Sequence, residues 1–224
     1  YRFTLRFGEA RSTEDLEGEV TATSDVRPDD AAIRAALPAF VGTIDQRPPA
    51  YSALKVDGQR AYDLARAGET VELAVRQVVI ERLELLARPD ADHADFVVDC
   101  GKGTYIRSIA RDLGAALGCG GLVQTLRRTR VGPFLAGQGA SLDADPASVT
   151  LRPMAEAVAG LPHVTLEPDV VRRLRHGQFV RYTLPCLLHD PAQPVAAFLA
   201  TGEFVGTVLP EPPDSIRAGI MFRV

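Results

Sequence analysis

The stretch that decides the fold is "DCGKGTYIRSIARDLG", residues 99–114, in which a Gly-Lys-Gly turn joins a short apolar segment to an amphipathic run. A phosphate-binding P-loop is the first interpretation to test. That motif needs a glycine five residues before a Gly-Lys-Ser/Thr unit, whereas Lys102 is followed by Gly103. The stretch therefore does not predict a P-loop, and a nucleotide-binding enzyme that uses this turn is a disfavoured alternative.

The second half of the stretch predicts a helix with two different faces. Ile106, Ile109 and Leu113 recur at helical spacing. Burial of this apolar stripe turns Arg107 and Arg111 towards another face, one turn apart. Two like charges at this spacing repel each other unless carboxylates or bound anions lie opposite them. A local anion site and a solvated basic face are the two alternatives.

Length and composition are those of a soluble globular protein. The 224 residues are 46% hydrophobic, which is enough for one large domain and a small one. Cys100, Cys119 and Cys186 lie far apart without a C-x-x-C pair, so neither a disulfide framework nor a metal site is predicted. The sequence shows no signal peptide and no apolar run near 18 residues, which favours a cytoplasmic protein that does not bind membranes.

Charge is unevenly distributed along the chain. The formal net charge is −4, which argues against a surface that binds polyanions everywhere. The segment from Cys100 to Phe134 nevertheless contains six basic residues and only one acidic residue, Asp112. This basic segment is either a local anion site or a solvated surface.

Periodicity predicts a mixture of strands and helices. Phe3, Leu5 and Phe7 alternate with polar residues, as in a half-buried strand. Further strands are predicted as two segments within 71–87 and as one segment at 95–100, and helices at 29–40, 61–68 and 169–177, with a polar loop at 8–20.

A change of composition near residue 160 predicts a domain boundary. Pro153, Pro162 and Pro168 interrupt this region. Beyond it, short strand-like runs at 196–200, 204–209 and 219–224 are separated by turn residues. We therefore expect an α+β domain at 1–160 and a small, mostly β domain at 161–224.

Four stretches, in this order and spacing, carry a resemblance to a known family. They are Tyr1 at the start of the first strand with "TEDLEG" at 13–18, "PPAYSALKVDGQRAYDLARAG" at 48–68, "KGTYIRS" at 102–108 and "LRRTRVGPF" at 126–134. With "LPHVTL" and "LRHGQFV" further on, the chain resembles the bacterial tRNA pseudouridine synthase B family over nearly its whole length.

The resemblance implies a fold and a reaction. The fold would be the pseudouridine synthase fold, with a mixed, mainly antiparallel sheet, followed by a PUA-like RNA-binding domain. The reaction would convert uridine 55 in the T loop of tRNA to pseudouridine. The uridine is flipped out, an aspartate attacks it, and the base is re-attached through carbon. No metal or organic cofactor is implied; the partner is the tRNA T-arm, and the protein is expected to be a monomer.

The resemblance also implies roles for individual residues. Tyr1 would pack against the flipped base and take part in proton abstraction, and Tyr105 would line the same pocket. Arg107 would pair with the nucleophilic aspartate, since a planar guanidinium can hold a carboxylate by two charge-assisted bonds. Leu126 would form an apolar wall.

Basic residues near these motifs are predicted to contact RNA phosphates. They are Lys55, Lys102, Arg128 and Arg130. Lys55 and the nearby Arg60 are isolated charges, so simple solvation remains the alternative for both. Arg11 stands where the family commonly has threonine, which leaves the RNA contacts of its loop open.

The main departure from the family is the absence of its Gly-x-Leu-Asp-Pro motif, which carries the nucleophile. The Asp-Pro pairs at 145–146 and 190–191 lie beyond every matched motif and are not credible substitutes. We expect the nucleophile to lie upstream of Tyr1 and the 224-residue chain alone to be inactive. The rival hypothesis is an RNA-binding or RNA-remodelling protein of the same fold that has lost catalysis. His93, His163, His176 and His189 share no spacing, so none is predicted to be a general base.

Overall fold

The computed structural model describes residues 1–56, 58–71, 73–184, 192–211 and 214–222. The chain divides into two compact units, residues 1–129 and 130–224. This division lies before the boundary expected at residue 160. Within the described part of the chain, no helix has the length and apolar character needed to cross a bilayer.

The first unit is an antiparallel sheet with helices. In chain order its strands are β1 (Arg2–Phe7), β2 (Glu9–Arg11), β3 (Val20–Thr23), β4 (Gly42–Gln46), β5 (Lys55–Val56), β6 (Gln59–Arg60), β7 (Arg76–Ala87), β8 (His93–Cys100) and β9 (Gly121–Arg127). Its helices are α1 (Asp30–Ala36), α2 (Ala61–Arg66) and α3 (Ile106–Ala116), and a 3-10 turn covers Leu37–Phe40. The main sheet has the order β4-β7-β8-β1-β9, and its described pairs are all antiparallel.

The alternation in β1 produces the predicted half-buried strand. Phe3, Leu5 and Phe7 are at most 2% exposed and form part of the core of this unit. Phe3 stacks on Phe96 of β8 with a centroid distance of 5.2 Å. Helix α1 lies within the predicted range 29–40, and its N-cap is Asp29, whose carboxylate accepts the Ala32 N–H at 2.7 Å.

Helix α3 packs tightly against β9. Its predicted stripe, Ile106, Ile109 and Leu113, is buried. Gly114 makes the close approach possible, because a Cβ at this position would lie 2.4 Å from the carbonyl carbon of Gly120. Packing on β9 therefore fixes the direction of α3, and with it the face that carries Arg107 and Arg111.

The second unit contains a smaller sheet and its own core. It contains β10 (Arg130–Val131), β11 (Phe134–Leu135), α4 (Met154–Ala157), β12 (His163–Thr165), α5 (Pro168–Arg175), β13 (Val180–Arg181), β14 (Val195–Phe198), β15 (Phe204–Glu211) and β16 (Ser215–Met221), with 3-10 turns at Ala136–Gln138 and Pro146–Ser148. The sheet order is β12-β14-β15-β16-β13, with β12 parallel to β14. Its core begins at Val164, and none of residues 130–163, all of them described, is buried.

The expected α+β class is confirmed, but two local predictions were wrong and two strands of the main sheet were missed. Among the described residues of the region 71–87, the structure has one strand, β7, and not two strand segments. The predicted loop at 8–20 contains strand β2 and the first residue of β3, and these two strands pair with each other as a hairpin. Strands β4 and β9 were not predicted. Both contain or border on glycine and polar residues, which weaken the alternation, and only pairing with β7 and β1 defines them.

Candidate active site

Three predicted site residues lie at one end of the five-stranded sheet. Tyr1 precedes β1, and its carbonyl accepts the Val98 N–H near the end of β8 at 3.0 Å. Leu126 lies near the end of β9, opposite Phe3. Tyr105 follows the loop after β8 and directly precedes α3. The antiparallel register therefore brings Tyr1, Leu126 and the loop that leads to Tyr105 to the same end of the sheet.

Both tyrosine rings face an arginine. The guanidinium carbon of Arg128 lies 5.0 Å from the centre of the Tyr1 ring, and that of Arg76 lies 5.1 Å from the centre of the Tyr105 ring. Arg76 also donates to the Gly103 carbonyl at 2.5 Å. Cation–π contacts of this kind stabilise a fixed orientation of ring and guanidinium. Arg128, a predicted phosphate contact, thus lies against the predicted base-stacking ring.

Arg107 is held by three acceptors. One terminal nitrogen lies 3.0 Å from the Asp15 carboxylate and also donates to the Thr13 carbonyl at 2.8 Å. The other donates to the Tyr51 carbonyl at 2.7 Å. The sequence left open what lies opposite the positive charge of Arg107. In the structure it pairs with Asp15, a carboxylate of the "TEDLEG" stretch. Pairing of Arg107 with a catalytic aspartate remains a prediction.

Arg111 is also paired with carboxylates. It lies 2.5 Å from Glu14 and 2.7 Å from Asp112, and the Ser108 hydroxyl lies 3.4 Å from Glu14. Burial raises the pKa of the Glu14 carboxyl, and the neighbouring Arg111 only partly offsets this effect. Glu14 also has a positive φ of 63°, which is uncommon for a residue other than glycine. The two arginines of α3 thus fasten the loop between β2 and β3 to the start of the helix.

The sequence matches two family models that together span residues 1–159. The model described as "TruB family pseudouridylate synthase (N terminal domain)" covers residues 1–106, and the one described as "tRNA pseudouridylate synthase B C-terminal domain" covers residues 107–159. The chain belongs to the TruB family of pseudouridylate synthases. The expected family is therefore confirmed.

Curated relatives in the TruB family are named tRNA pseudouridine synthase B. The relative from Ruegeria pomeroyi is 52% identical over 184 residues, which are 79% of this chain and 61% of the relative. The relative from Rhizobium johnstonii is 47% identical over 210 residues, which are 88% of this chain and 66% of the relative. The chain thus spans less than two thirds of the length of these relatives.

Solved structures support the pseudouridine synthase fold. A chain from a "Cbf5-Nop10-Gar1 Complex" has a TM-score of 0.68 at 22% identity, and the match covers 99% of this chain and 66% of that chain. A chain from an "H/ACA RNP bound to a substrate RNA containing 2'-deoxyuridine" has a TM-score of 0.61 at 18% identity, covering 100% and 66%. The fold expected for a TruB family member is confirmed.

The predicted phosphate contacts of this TruB family chain are exposed. They are Lys55, Lys102 and Arg128 in the first unit and Arg130 in the second. Arg130 also donates to the Gly132 carbonyl at 3.3 Å. Exposure is compatible with both RNA contact and solvation, so their role stays a prediction.

Leu126 also borders a surface cavity of about 450 Å³. The other lining residues are Arg2, Phe3, Thr4, Leu86, Asp95, Phe96, Thr125 and Arg127. A hydroxyl chain runs along it, from Thr125 to Thr4 at 2.8 Å and from Thr4 to the Asp95 carboxylate at 2.6 Å. Tyr1, Tyr105 and Arg107 do not line this cavity, so it does not unite the four predicted residues.

The described histidines have separate partners. His93 contacts Asp90 at 2.8 Å and Gln124 at 3.1 Å, and the His176 ring lies 2.7 Å from the Arg172 carbonyl. Cys186 and His189 lie outside the described residues. Among the residues that are described, no group of three His, Cys, Asp or Glu side chains is arranged to hold a metal.

Three residues of the site escaped sequence analysis. Glu14 and Asp15 were noted only as members of the polar loop and of the "TEDLEG" stretch, without roles of their own, and Gln46 was not singled out at all. Acidic residues in a loop are usually solvated, so only the contacts with α3 distinguish this pair. Gln46 ends a strand that was itself not predicted.

Proposed function

We propose that this chain forms part of a tRNA pseudouridine synthase that isomerises uridine 55 in the T loop of tRNA. The observation that carries the proposal is the end of the five-stranded sheet where Tyr1, Leu126 and the loop leading to Tyr105 lie, followed two residues later by Arg107, which is held by three acceptors. Membership of the TruB family, and the names of its relatives, support the same substrate.

The chemistry needs a flipped base and a replacement for its lost stacking. Extrusion of a base costs a few kcal/mol, and stacking on an aromatic ring returns roughly 1–3 kcal/mol. Tyr1 supplies that ring, and Tyr105 and Leu126 complete the walls. Because Arg128 already lies on the Tyr1 ring, the incoming base either displaces this guanidinium or takes the opposite face.

The role of Arg107 in this proposal is to orient the carboxylate of the nucleophile. Asp15 and the carbonyls of Thr13 and Tyr51 fix its guanidinium, so that its remaining capacity can orient a second carboxylate. That carboxylate is the aspartate nucleophile of the family, which attacks C1′ as the bond from C1′ to N1 breaks. The base then turns, and the bond from C1′ to C5 forms as the ester bond from C1′ to the aspartate breaks. The proton on C5 leaves and N1 gains a proton, so that the product is an isomer of uridine. Tyr1 takes part in this proton removal.

The second unit serves RNA binding in this proposal. Its residues from 161 onwards act as the PUA-like domain. Phosphates are also contacted by Arg130 of this unit and by three basic residues of the first unit, Lys55, Lys102 and Arg128. Helix α5 adds exposed basic residues at Arg172, Arg173 and Arg175. The enzyme acts on the T-arm in the cytoplasm as a monomer without a cofactor.

A tritium-release assay tests the proposal. The protein encoded by the complete reading frame that contains this chain is incubated with a T-arm stem-loop tritiated at C5 of uridine. We expect tritium release from position 55, and none when that uridine is replaced by cytidine. The 224-residue chain alone should release none. RNA binding without release by the complete protein would refute the proposal in favour of the inactive RNA-binding alternative.

A further inference from the structure

A buried glutamine contacts the residue that precedes α3. Gln46 is the last residue of β4, and only 1% of it is exposed. Its Oε1 accepts the Tyr105 N–H at 2.8 Å, and its Nε2 donates to the Tyr105 carbonyl at 3.1 Å. The carboxamide therefore pairs with both polar backbone groups of Tyr105, as a neighbouring strand would, across a separation of 59 residues.

Tyr105 needs such a partner because of its place in the chain. It is the N-cap of α3, with extended φ and ψ of −100° and 117°, and its own side chain makes no capping bond. N–H groups at a helix start lack partners within the helix. The Tyr105 carbonyl already accepts the Ile109 N–H at 3.2 Å. Gln46 thus satisfies the N–H and gives the carbonyl a second donor.

The contact continues along the chain that follows Gln46. The Arg47 carbonyl accepts bonds from Ser108 and Arg111, both at 2.9 Å, and the Tyr51 carbonyl accepts the bond from Arg107. Two prolines stiffen the stretch between them. Residues 46–51, which we call the 46–51 segment, therefore lie alongside the first two turns of α3 and are hydrogen-bonded to them.

We propose that Gln46 is a positioning residue for the isomerisation. It fixes the backbone of Tyr105, and thereby the direction of the Tyr105 ring and the position of Arg107 two residues later. This inference rests on the proposed function, since it assigns Gln46 to the same site. A displacement of about 1 Å in a reacting geometry can cost on the order of 100-fold in rate, so a small error in the helix start has a large effect.

The direct test is Gln46→Met in the complete enzyme. Methionine has a similar length but neither a strong donor nor a strong acceptor, so it keeps the packing and removes both bonds. We expect the single-turnover rate constant on a T-arm stem-loop to fall at least about tenfold, while the RNA dissociation constant stays within about threefold. An unchanged rate would overturn the proposal.

A matched control separates positioning from lost stability. Ile33→Val shortens a fully buried side chain of α1 in the same core. Ile33 lies outside the 46–51 segment, and the shorter side chain should lower the stability of the unit. We expect its rate constant below the unfolding transition to equal that of the wild type. An equal loss of rate in both variants would show that Gln46 contributes only to stability.

A double-mutant cycle tests whether Gln46 acts through Tyr105. In a Tyr105→Ala background there is no ring to position, so Gln46→Met should reduce the rate less than about threefold. The same fold-loss in both backgrounds would contradict the proposal, because it would mean that the two residues act independently.

Amide hydrogen exchange gives a measurement that does not depend on activity. In the 224-residue chain, exchange of the Tyr105 N–H should become at least about tenfold faster in Gln46→Met, while the amides at the end of α3 remain unchanged. Unaltered exchange at Tyr105 would overturn the proposed contact. A wild-type enzyme that forms no pseudouridine would refute the proposed function, and with it the role in the reaction, while exchange would still decide whether Gln46 holds Tyr105.

Discussion

At the scale of single residues, Arg107 donates to one carboxylate and two backbone carbonyls from two separate loops. A guanidinium can serve all three because its donors point in fixed, diverging directions. An ammonium group has the same charge but gathers its donors at one point. The difference between arginine and lysine at this position is therefore geometric.

Arg107→Lys tests this geometry in the complete enzyme. Lysine keeps the charge but has a single nitrogen in place of the guanidinium fork, so both the loop and the nucleophile should be less well oriented. We expect turnover to fall at least about tenfold, which is about 1.4 kcal/mol of transition-state stabilisation, with little change in RNA affinity. The measurement is single-turnover kinetics together with filter binding. Full turnover with reduced affinity would instead mark Arg107 as a phosphate contact.

Glu14 makes stability depend on pH. Burial raises the pKa of its carboxyl in the folded state above 4.5, so the folded protein binds this proton more tightly than the unfolded chain does. The contribution of Glu14 to stability is then fully present below the unfolded pKa and is lost as pH rises through the folded pKa.

The corresponding prediction compares the wild type with Glu14→Gln, whose side chain does not titrate. The free energy of unfolding of the wild type, relative to Glu14→Gln, should rise as pH is lowered from 7 towards 4.5. Urea titrations followed by circular dichroism at several pH values measure this difference. If the relative stability of the wild type falls instead, the ion pair with Arg111 outweighs the cost of burial.

At the scale of elements, periodic patterns predicted the type and the buried face of an element where its own sequence specifies them. The stripe of α3 and the alternation of β1 each bury one face, and both were found as predicted. Strand β9 was missed because "GLVQTLR" becomes defined only by pairing with β1. The same limit applies to the site. Tyr1, Tyr105, Arg107 and Leu126 came from a resemblance, whereas Asp15 and Gln46 needed contacts between residues 59 or more positions away.

The packing of α3 on β9 can be tested at Gly114. Replacing a helical glycine with alanine normally stabilises by up to about 1 kcal/mol. Here the new Cβ would lie 2.4 Å from the backbone of Gly120, so the helix and strand must separate. We expect Gly114→Ala to destabilise the chain by about 1–3 kcal/mol in urea titrations. Gly137→Ala, which faces open space, is the control, and equal stability of both variants would contradict the close packing.

At the scale of the whole molecule, the question is what the second core contributes. Every residue of that core lies at or beyond Val164, in a cluster that includes Leu166, Val195 and Ile216. Residues 130–163, which the structure describes without a gap, contribute no buried side chain. A cut after Leu161 therefore removes a complete core and leaves that of the first unit intact.

Truncation after Leu161 in the complete enzyme should therefore separate RNA binding from chemistry. Contacts remote from the reacting base contribute mainly to affinity, although they can also help to position the substrate. We expect the apparent dissociation constant for a T-arm RNA to rise at least about tenfold, with a smaller effect on the single-turnover rate at saturating enzyme.

A full-length variant with Arg173→Ala and Arg175→Ala, both exposed on α5, controls for the exposure of new surface by the cut. This variant should also bind the RNA more weakly than the wild type. Its dissociation constant should depend less steeply on salt because fewer phosphates are neutralised. A soluble truncation that binds with native affinity but has lost chemistry would contradict an RNA-binding role for residues 162–224, and would instead show that they support the geometry of the active site.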